Sequence, residues 1–258
     1  MTVTFDLTGR TALVTGAGQG VGAAIASLLA AAGARVAVND LVAERADDQT
    51  EHLRRAGGDA IAAVFDVTDF AQVSDALADV GGVDILINNA GNAGGDRWPS
   101  MVDFAGSSPS DWQPFLAVNL YGVMHCVRAA LPAMIEHGWG RIVTIVSDAA
   151  RVGEPKMAAY AAAKAGAAGL TRAVSTEVGR HGITANNIAL GTMRTPLTES
   201  SWAGLDDREA ATRLNGYTVR RPGLPDDVAG LVGYLVSPGA SWITGQTIPL
   251  NGGYSVAL

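Results

Sequence analysis

Short apolar runs alternate with longer amphipathic or alanine-rich segments from one end of this chain to the other. Residues 11–15 form a β-rich run that stops at glycines, and residues 21–32 follow with helix-forming Ala, Ile and Leu. Residues 35–39 read as a second strand and 43–56 as a charged amphipathic helix. The same pattern predicts strands at 60–65, 85–88, 141–146, 183–189 and 247–250, with helices at 70–80, 111–136, 157–178 and 226–236. The strand runs lack strict apolar/polar alternation, which belongs to a sheet covered on both faces. Strands separated by helices mean parallel strands joined by crossovers. No Pro/Ser-rich linker or internal repeat divides residues 1–258, so one domain is expected. Residues 92–109 and 191–205 break the alternation, and long loops at the carboxyl ends of such strands carry ligand sites.

Composition narrows the partners. The chain is 48% hydrophobic and 17% charged, as globular proteins are. Its net charge of −7 disfavours nucleic acid or an anionic membrane surface, both of which need a concentrated positive field. The most apolar segment noticed, residues 20–34, falls short of the ~20 residues a membrane span requires. The N-terminus has neither the basic start nor the apolar core of a signal peptide. Cys126 is the only cysteine and is expected to be an inert core thiol. These features lead to a cytoplasmic expectation. His125, Cys126 and His137 lack the paired spacing of zinc sites, so no metal is expected. The five tryptophans are read mainly as packing residues, with Trp202 falling in the irregular segment 191–205.

The first strand leads into Thr15-Gly16-Ala17-Gly18-Gln19-Gly20-Val21-Gly22. Glycines here let the backbone approach a pyrophosphate closely, and the helix that follows offers unpaired N–H groups and a positive dipole end. The spacing Gly-x-x-x-Gly-x-Gly departs from the commoner dinucleotide fingerprint. Asp40 closes the second strand, where a carboxylate accepts hydrogen bonds from ribose hydroxyls and repels a 2′-phosphate. Neither Asn39 nor Leu41 nor Gln19 offers a compensating positive charge, which favours NAD over NADP.

Tyr160-Ala161-Ala162-Ala163-Lys164 puts a phenol and an ammonium on one helix face. A cation within ~4–6 Å favours the phenolate and brings a tyrosine towards working pH, where proton transfer is efficient. The chain's only lysines are Lys156 and Lys164. Ser147 closes the predicted strand 141–146, thirteen residues before Tyr160, with its hydroxyl placed to hold a substrate oxygen.

Together these motifs resemble the short, single-domain branch of the short-chain dehydrogenase/reductase family. The glycine loop matches the family's Thr-Gly-x-x-x-Gly-x-Gly, and Asp66-Val67 its adenine-contacting pair. Asn88-Asn89-Ala90-Gly91 matches the segment that supports the sheet and lines the cofactor. Asn119, Ser147, Tyr160 and Lys164 match the catalytic tetrad. Later matches are Arg221-Pro222-Gly223-Leu224-Pro225-Asp226-Asp227-Val228, Thr244-Gly245-Gln246 and Asn251-Gly252-Gly253. Where the family usually has Pro-Gly, this chain has Leu190-Gly191, and Asp148 stands where a small neutral residue is usual.

The resemblance implies an α/β, Rossmann-like, doubly wound parallel sheet of about seven strands with helices on both faces. It also implies a substrate lid around residues 191–217. Tyr160 would be the general acid/base, and Lys164 would bind nicotinamide ribose and depress the phenol. Ser147 would orient the substrate oxygen, and Asn119 would help hold a water relaying protons from Lys164. Gly16, Gln19, Gly20, Val21, Gly22, Asp40, Leu41, Asp66, Val67, Asn89, Ala90, Gly91, Gly191, Met193 and Thr195 would join Tyr160 and Lys164 around the cofactor. The expected activity is NAD-dependent interconversion of a secondary alcohol and a ketone, the substrate being a 3-hydroxyacyl thioester or a ring alcohol. An NADPH-dependent 3-oxoacyl-thioester reductase and a non-catalytic dinucleotide sensor stay open beside it. A homotetramer is implied too, packed through helix faces around residues 124–134 and Val174.

Overall fold

The computed structural model describes residues 5–92 and 103–256. Trp98 and most of the irregular segment 92–109 lie outside the described residues. Seven parallel strands form one sheet: β1 (Thr11–Val14), β2 (Arg35–Asp40), β3 (Ala60–Val64), β4 (Ile85–Asn88), β5 (Gly140–Ser147), β6 (Ile183–Leu190) and β7 (Thr247–Leu250). Their order across the sheet is β3-β2-β1-β4-β5-β6-β7, the Rossmann-like arrangement expected.

Successive strand side chains point to opposite faces, and here both faces are apolar. Ala12, Val14, Val36, Val38, Ile85 and Ile87 enter one core with helices α1 (Gly20–Ala31) and α9 (Pro225–Val236). Leu13, Ala37 and Leu86 enter the other. That second core is shared with α3 (Phe70–Val80), α5 (Gly122–His137) and α7 (Ala158–Val178). The charged helix α2 (Ala43–Arg55) follows β2. Two-sided burial explains why the strand sequences carry no polar alternation.

Four expectations need correction. The predicted helix 111–136 is instead α4 (Pro109–Leu116), a π-helical turn Ala117–Tyr121, and α5. Among the described residues, this Pro109–His137 stretch is long and apolar enough to cross a membrane, which the reading of residues 20–34 overlooked. Its inward side, including Phe115, Val123, Val127 and Met134, is built into the cores of this fold. Met134 and Val174, expected on a subunit interface, are buried inside the protomer. Trp242 is 99% exposed and packs nothing, contrary to the packing role expected of the tryptophans.

Two short helices had no signal in the periodicity: α6 (Ala149–Val152) and α8 (Asp207–Arg213). Each spans two turns or fewer, too short to establish a hydrophobic period. Cys126 is buried, and burial pushes its thiol up to about 12, the inert character expected. His137 pairs with Asp84 at 3.2 Å, and no metal-ligating cluster occurs among the described residues.

Candidate active site

The glycine loop, residues 89–92 and residues 191–205 leave the sheet from its carboxyl edge, after β1, β4 and β6. Strands β1 and β4 are neighbours whose chains turn opposite ways across the sheet, and such a switch point opens a crevice. The glycine loop leaves β1 there. Gly16 and Gly20 have φ of 62° and 58°, the left-handed region that glycine enters without steric cost. At Gly22 a β-carbon would lie 2.2 Å from the Gly16 carbonyl oxygen, so only glycine lets the loop fold back on its helix. Gln19 precedes α1 in extended conformation without a side-chain cap, and no acid lies in the first turn. The helix therefore presents unsatisfied N–H groups, and its positive end, to the crevice.

The loop is tied down from below. Asn89 Nδ2 donates to the carbonyls of Thr15 and Gly16 at 2.9 and 3.0 Å. The backbone N–H groups of Asn89 and Ala90 both donate to Thr15 Oγ1 at 3.0 Å. Asn39 Oδ1 accepts from Gly16, while its Nδ2 donates to Ala63 and Phe65 carbonyls. Asn39 thus anchors the loop, a role its lack of charge does not reveal. A polar residue at a strand end flanked by apolar positions was the available signal.

Asp40 is buried at the end of β2 and accepts from the Val42 backbone N–H at 3.0 Å, with exposed Leu41 between them. The expectation that no positive charge compensates it is corrected. Arg45, in the first turn of α2, stands 3.9 Å from its carboxylate and packs against Gly18. Five residues separate them in sequence, and only the turn into α2 brings them together. Asp66 accepts from the backbone and hydroxyl of Thr68 at 2.8 Å. Val67 is buried, and its carbonyl bonds His125 Nδ1 at 2.9 Å.

The tetrad candidates converge from three elements. Ser147 is the last residue of β5 and pairs in register with Leu190 at the end of β6. Tyr160 and Lys164 lie on the inward face of α7, both buried. Asn119 sits in the π-helical turn, a feature frequent at functional sites because it re-aims one side chain out of the helical register. Its Nδ2 donates to the Phe115 carbonyl at 3.1 Å and to Asn92 Oδ1, while its buried Oδ1 lacks a partner among the described residues. Asn92 also donates to the Pro114 carbonyl at 2.7 Å, a bridge the sequence did not reveal. A β-carbon built on Gly91 would lie 3.0 Å from Asn119 Oδ1 and 3.4 Å from Lys164 Nζ. Gly91 thus leaves a gap onto which both groups face.

Electrostatically the site differs from expectation. Burial pushes the Tyr160 phenol up to about 12, against a hydrogen bond with the Ser147 side chain that lowers it. Burial pushes Lys164 down to about 8, and its Nζ donates to the Ile145 carbonyl at 2.9 Å. The phenol is not depressed: with both groups withdrawn from water, desolvation outweighs the hydrogen bond that favours phenolate.

Beyond β6, the Gly191 N–H donates to the Leu250 carbonyl at 3.2 Å. Met193 bridges to Gly223, and Thr195 Cβ lies 3.6 Å from the β-carbon position of Gly20. The base of the expected lid therefore rests against the glycine loop. Trp202, Leu214 and Tyr217 are buried in a small core of their own, so they hold the segment together rather than face a substrate. Tyr217 Oη fixes Thr192 through its N–H at 2.9 Å and its hydroxyl at 2.8 Å.

The family described as Enoyl-(Acyl carrier protein) reductase matches residues 16–255. The chain belongs to the short-chain dehydrogenase/reductase family. A relative from this family, 7alpha-hydroxysteroid dehydrogenase of Escherichia coli K12, is 35% identical over 252 residues, covering 96% of this chain and 94% of its own. Gluconate 5-dehydrogenase of Burkholderia cenocepacia, solved in complex with NADP and tartrate, is 35% identical with a TM-score of 0.87, covering 98% of both chains. A 3-oxoacyl-[acyl-carrier protein] reductase of Brucella melitensis, solved with NAD, is 30% identical with a TM-score of 0.87, covering 97% of this chain and 93% of that one. As a member of this family of oxidoreductases, the chain carries a fold whose relatives hold either nicotinamide dinucleotide.

Proposed function

We propose that this protein is an NAD-dependent dehydrogenase that interconverts a secondary alcohol and a ketone, with residues 1–258 acting as one catalytic domain. The observation that carries the reading is the convergence of Ser147, Tyr160, Lys164 and Asn119 beside a glycine-lined crevice. The residues fit the cofactor: glycines keep the loop open where a β-carbon would fill it, and α1 begins uncapped. Gly16, Gln19, Gly20, Val21 and Gly22 would hold the pyrophosphate. Asp40 and Leu41 would flank the adenosine ribose, with Asp66 and Val67 at the adenine. Asn89, Ala90 and Gly91 would line the nicotinamide side, with Gly191, Met193 and Thr195 closing over it. When bound, the nicotinamide supplies the hydride acceptor in oxidation and the donor in reduction.

The chain's own residues handle the proton. Ser147 holds the substrate oxygen. Tyr160, kept protonated by burial, gives its proton to the carbonyl oxygen in reduction. In the reverse direction the phenolate must form first, stabilised by the Lys164 ammonium. Asn119 Oδ1 accepts a hydrogen bond from a water that links Lys164 to solvent. Residues 191–217 form the lid, and ring alcohols or 3-hydroxyacyl thioesters are the substrate classes put forward. Assembly as a homotetramer rests on exposed Tyr121, Met124 and Ile135, on or beside α5, and a cytoplasmic setting completes the reading.

The test is Tyr160→Phe in a screen of secondary alcohols followed by nicotinamide absorbance. Turnover is expected to fall by about 10²–10⁴-fold, the usual share of a general acid/base, with NAD still bound. Full activity in Tyr160→Phe overturns the mechanism. The second reading, an NADPH-dependent 3-oxoacyl-thioester reductase, draws support from Arg45 beside Asp40. A higher kcat/KM with NADPH than NADH, abolished in Arg45→Ala, selects it.

A further inference from the structure

An open, shallow cleft ends on Tyr160 and runs between the start of α4 and the turn before α7. One wall is aromatic: Phe104 and Trp112 stack with ring centres 5.2 Å apart, and Phe115 meets Tyr160 edge-on at 6.0 Å. The cleft is also lined by Lys156, one of the chain's two lysines.

Lys156 stands apart in two ways. Its φ is 67°, the one positive φ at a non-glycine position among the described residues. There its β-carbon crowds the following carbonyl, whereas glycine would sit without strain. The ammonium is also uncommitted, with no hydrogen bond or ion pair among the described residues. Among the described residues, three arginines at this end of the sheet are spent: Arg151 on Asp148 at 2.6 Å, Arg194 on Glu199 at 2.5 Å, and Arg221 on Asp227 at 2.6 Å. Asp111, the acid lining the cleft, accepts from the Ser108 N–H and hydroxyl at 2.8 and 2.7 Å, so its carboxylate caps α4. Backbone strain persists where the side chain it carries is used.

We propose that Lys156 is the specificity-determining residue of this site and that the substrate is a hydroxy or oxo compound bearing an anionic group. The reacting carbon lies at Tyr160, the apolar body lies on the aromatic wall, and the anion pairs with Lys156. This deepens the dehydrogenase reading and rests on it. The anion is a carboxylate of a free acid or a phosphate of a carrier arm, and matched substrates separate the two. Initial rates are compared for 4-oxocyclohexanecarboxylate against its methyl ester, and for acetoacetyl-CoA against its N-acetylcysteamine thioester. The wild-type protein is expected to prefer one charged member. Preference in the first pair indicates the free acid, and preference in the second the carrier arm.

In Lys156→Gln that preference falls about tenfold or more, as loss of a charge-assisted hydrogen bond requires. Lys156→Arg retains it, and the change lies in KM. Lys156→Gly also loses it, while its melting temperature rises because the left-handed position no longer carries a β-carbon. That pairing of a lost preference with a more stable fold excludes unfolding as the cause. An equal preference in Lys156→Gln and wild type, or no charged preference in wild type, overturns the proposal. Calorimetric titration with the same four compounds covers the case of no turnover. Lys156-dependent binding of a charged member then sustains only the pairing of the anion with Lys156, the missing turnover counting against the dehydrogenase reading, and binding indifferent to Lys156 sinks the inference itself.

Discussion

The two banks of the crevice are built from different materials. On the β1–β4 bank, the polar side chains are spent on the backbone that shapes the loop: Thr15, Asn39 and Asn89 bind main-chain groups of residues 15, 16, 63, 65, 89 and 90. What faces outward there is backbone and glycine. On the β5–β6 bank, side chains face the cleft and other side chains hold them. Buried Asp148 accepts from Arg151 at 2.6 Å, Asn251 at 2.8 Å and Ser255 at 2.7 Å, which clips the C-terminal segment beneath the Ser147 turn. Its N–H donates to the Leu190 carbonyl at 2.9 Å, joining the Ser147 turn to the lid base. Tyr254 stacks on Tyr217 at 4.9 Å, extending the same clip under the lid. A bank made of backbone recognises what every dinucleotide shares, its phosphates. A bank made of side chains is where one substrate is told from another.

Three experiments sharpen that contrast. The largest effect is expected from Gly22→Ala, whose new methyl meets the Gly16 carbonyl oxygen at 2.2 Å. Displacing the loop by even 1 Å is expected to cost on the order of 10²-fold in kcat/KM for the dinucleotide. Steady-state kinetics with NAD as the varied substrate measure it, and an unchanged kcat/KM would break the idea that this bank reads by shape. Next is Asp148→Ala, which strips the substrate bank of its buried anchor and leaves the side-chain donors of Arg151, Asn251 and Ser255 with only their bonds to one another. The expected loss is roughly 3 kcal/mol, or about 9 °C in melting temperature, with NAD affinity kept. Calorimetry decides, and loss of NAD binding in a folded variant would show that the two banks are not separable.

The smallest effect concerns pH. Lys164 is lowered to about 8 in the folded state from an ordinary value of 10.5. Between those values the unfolded chain binds the extra proton, so stability rises with pH across that window; below about 8 both states are protonated and the slope vanishes. Tyr160 acts oppositely: raised to about 12 from 10.0, it makes stability fall above about pH 10. Urea unfolding at intervals from pH 7 to 11 is expected to peak near pH 10, and Lys164→Met to remove the rising limb. A rising limb that survives in Lys164→Met means that another group carries it.

The sequence foretold the cofactor bank better than the substrate bank, for a reason visible in particular residues. Gly16, Gly20 and Gly22 are each required by one local event, a positive φ or a close approach, so their spacing alone predicts the loop. Ser147, Tyr160 and Lys164 were likewise legible, because strand end and helix face are local properties. Arg45 beside Asp40, Asn92 beside Asn119 and the Asp148 clip to residues 251–255 were not. Each joins groups whose meeting depends on how a turn or a whole crossover is packed.

By itself the sequence determined the alternation of strands and helices, the sheet's two-sided burial, the glycine turn and the helical Tyr-Lys pair. All follow from steric rules and periodicities that act over a few neighbouring residues. Only the tertiary structure decided the strand order, the partners of Asp40 and Asp148, and the isolation of Lys156 among the described residues. It also decided the electrostatic state of the site, with the phenol raised and the ammonium lowered. Desolvation is a property of everything packed around a group, and no window of sequence contains that neighbourhood.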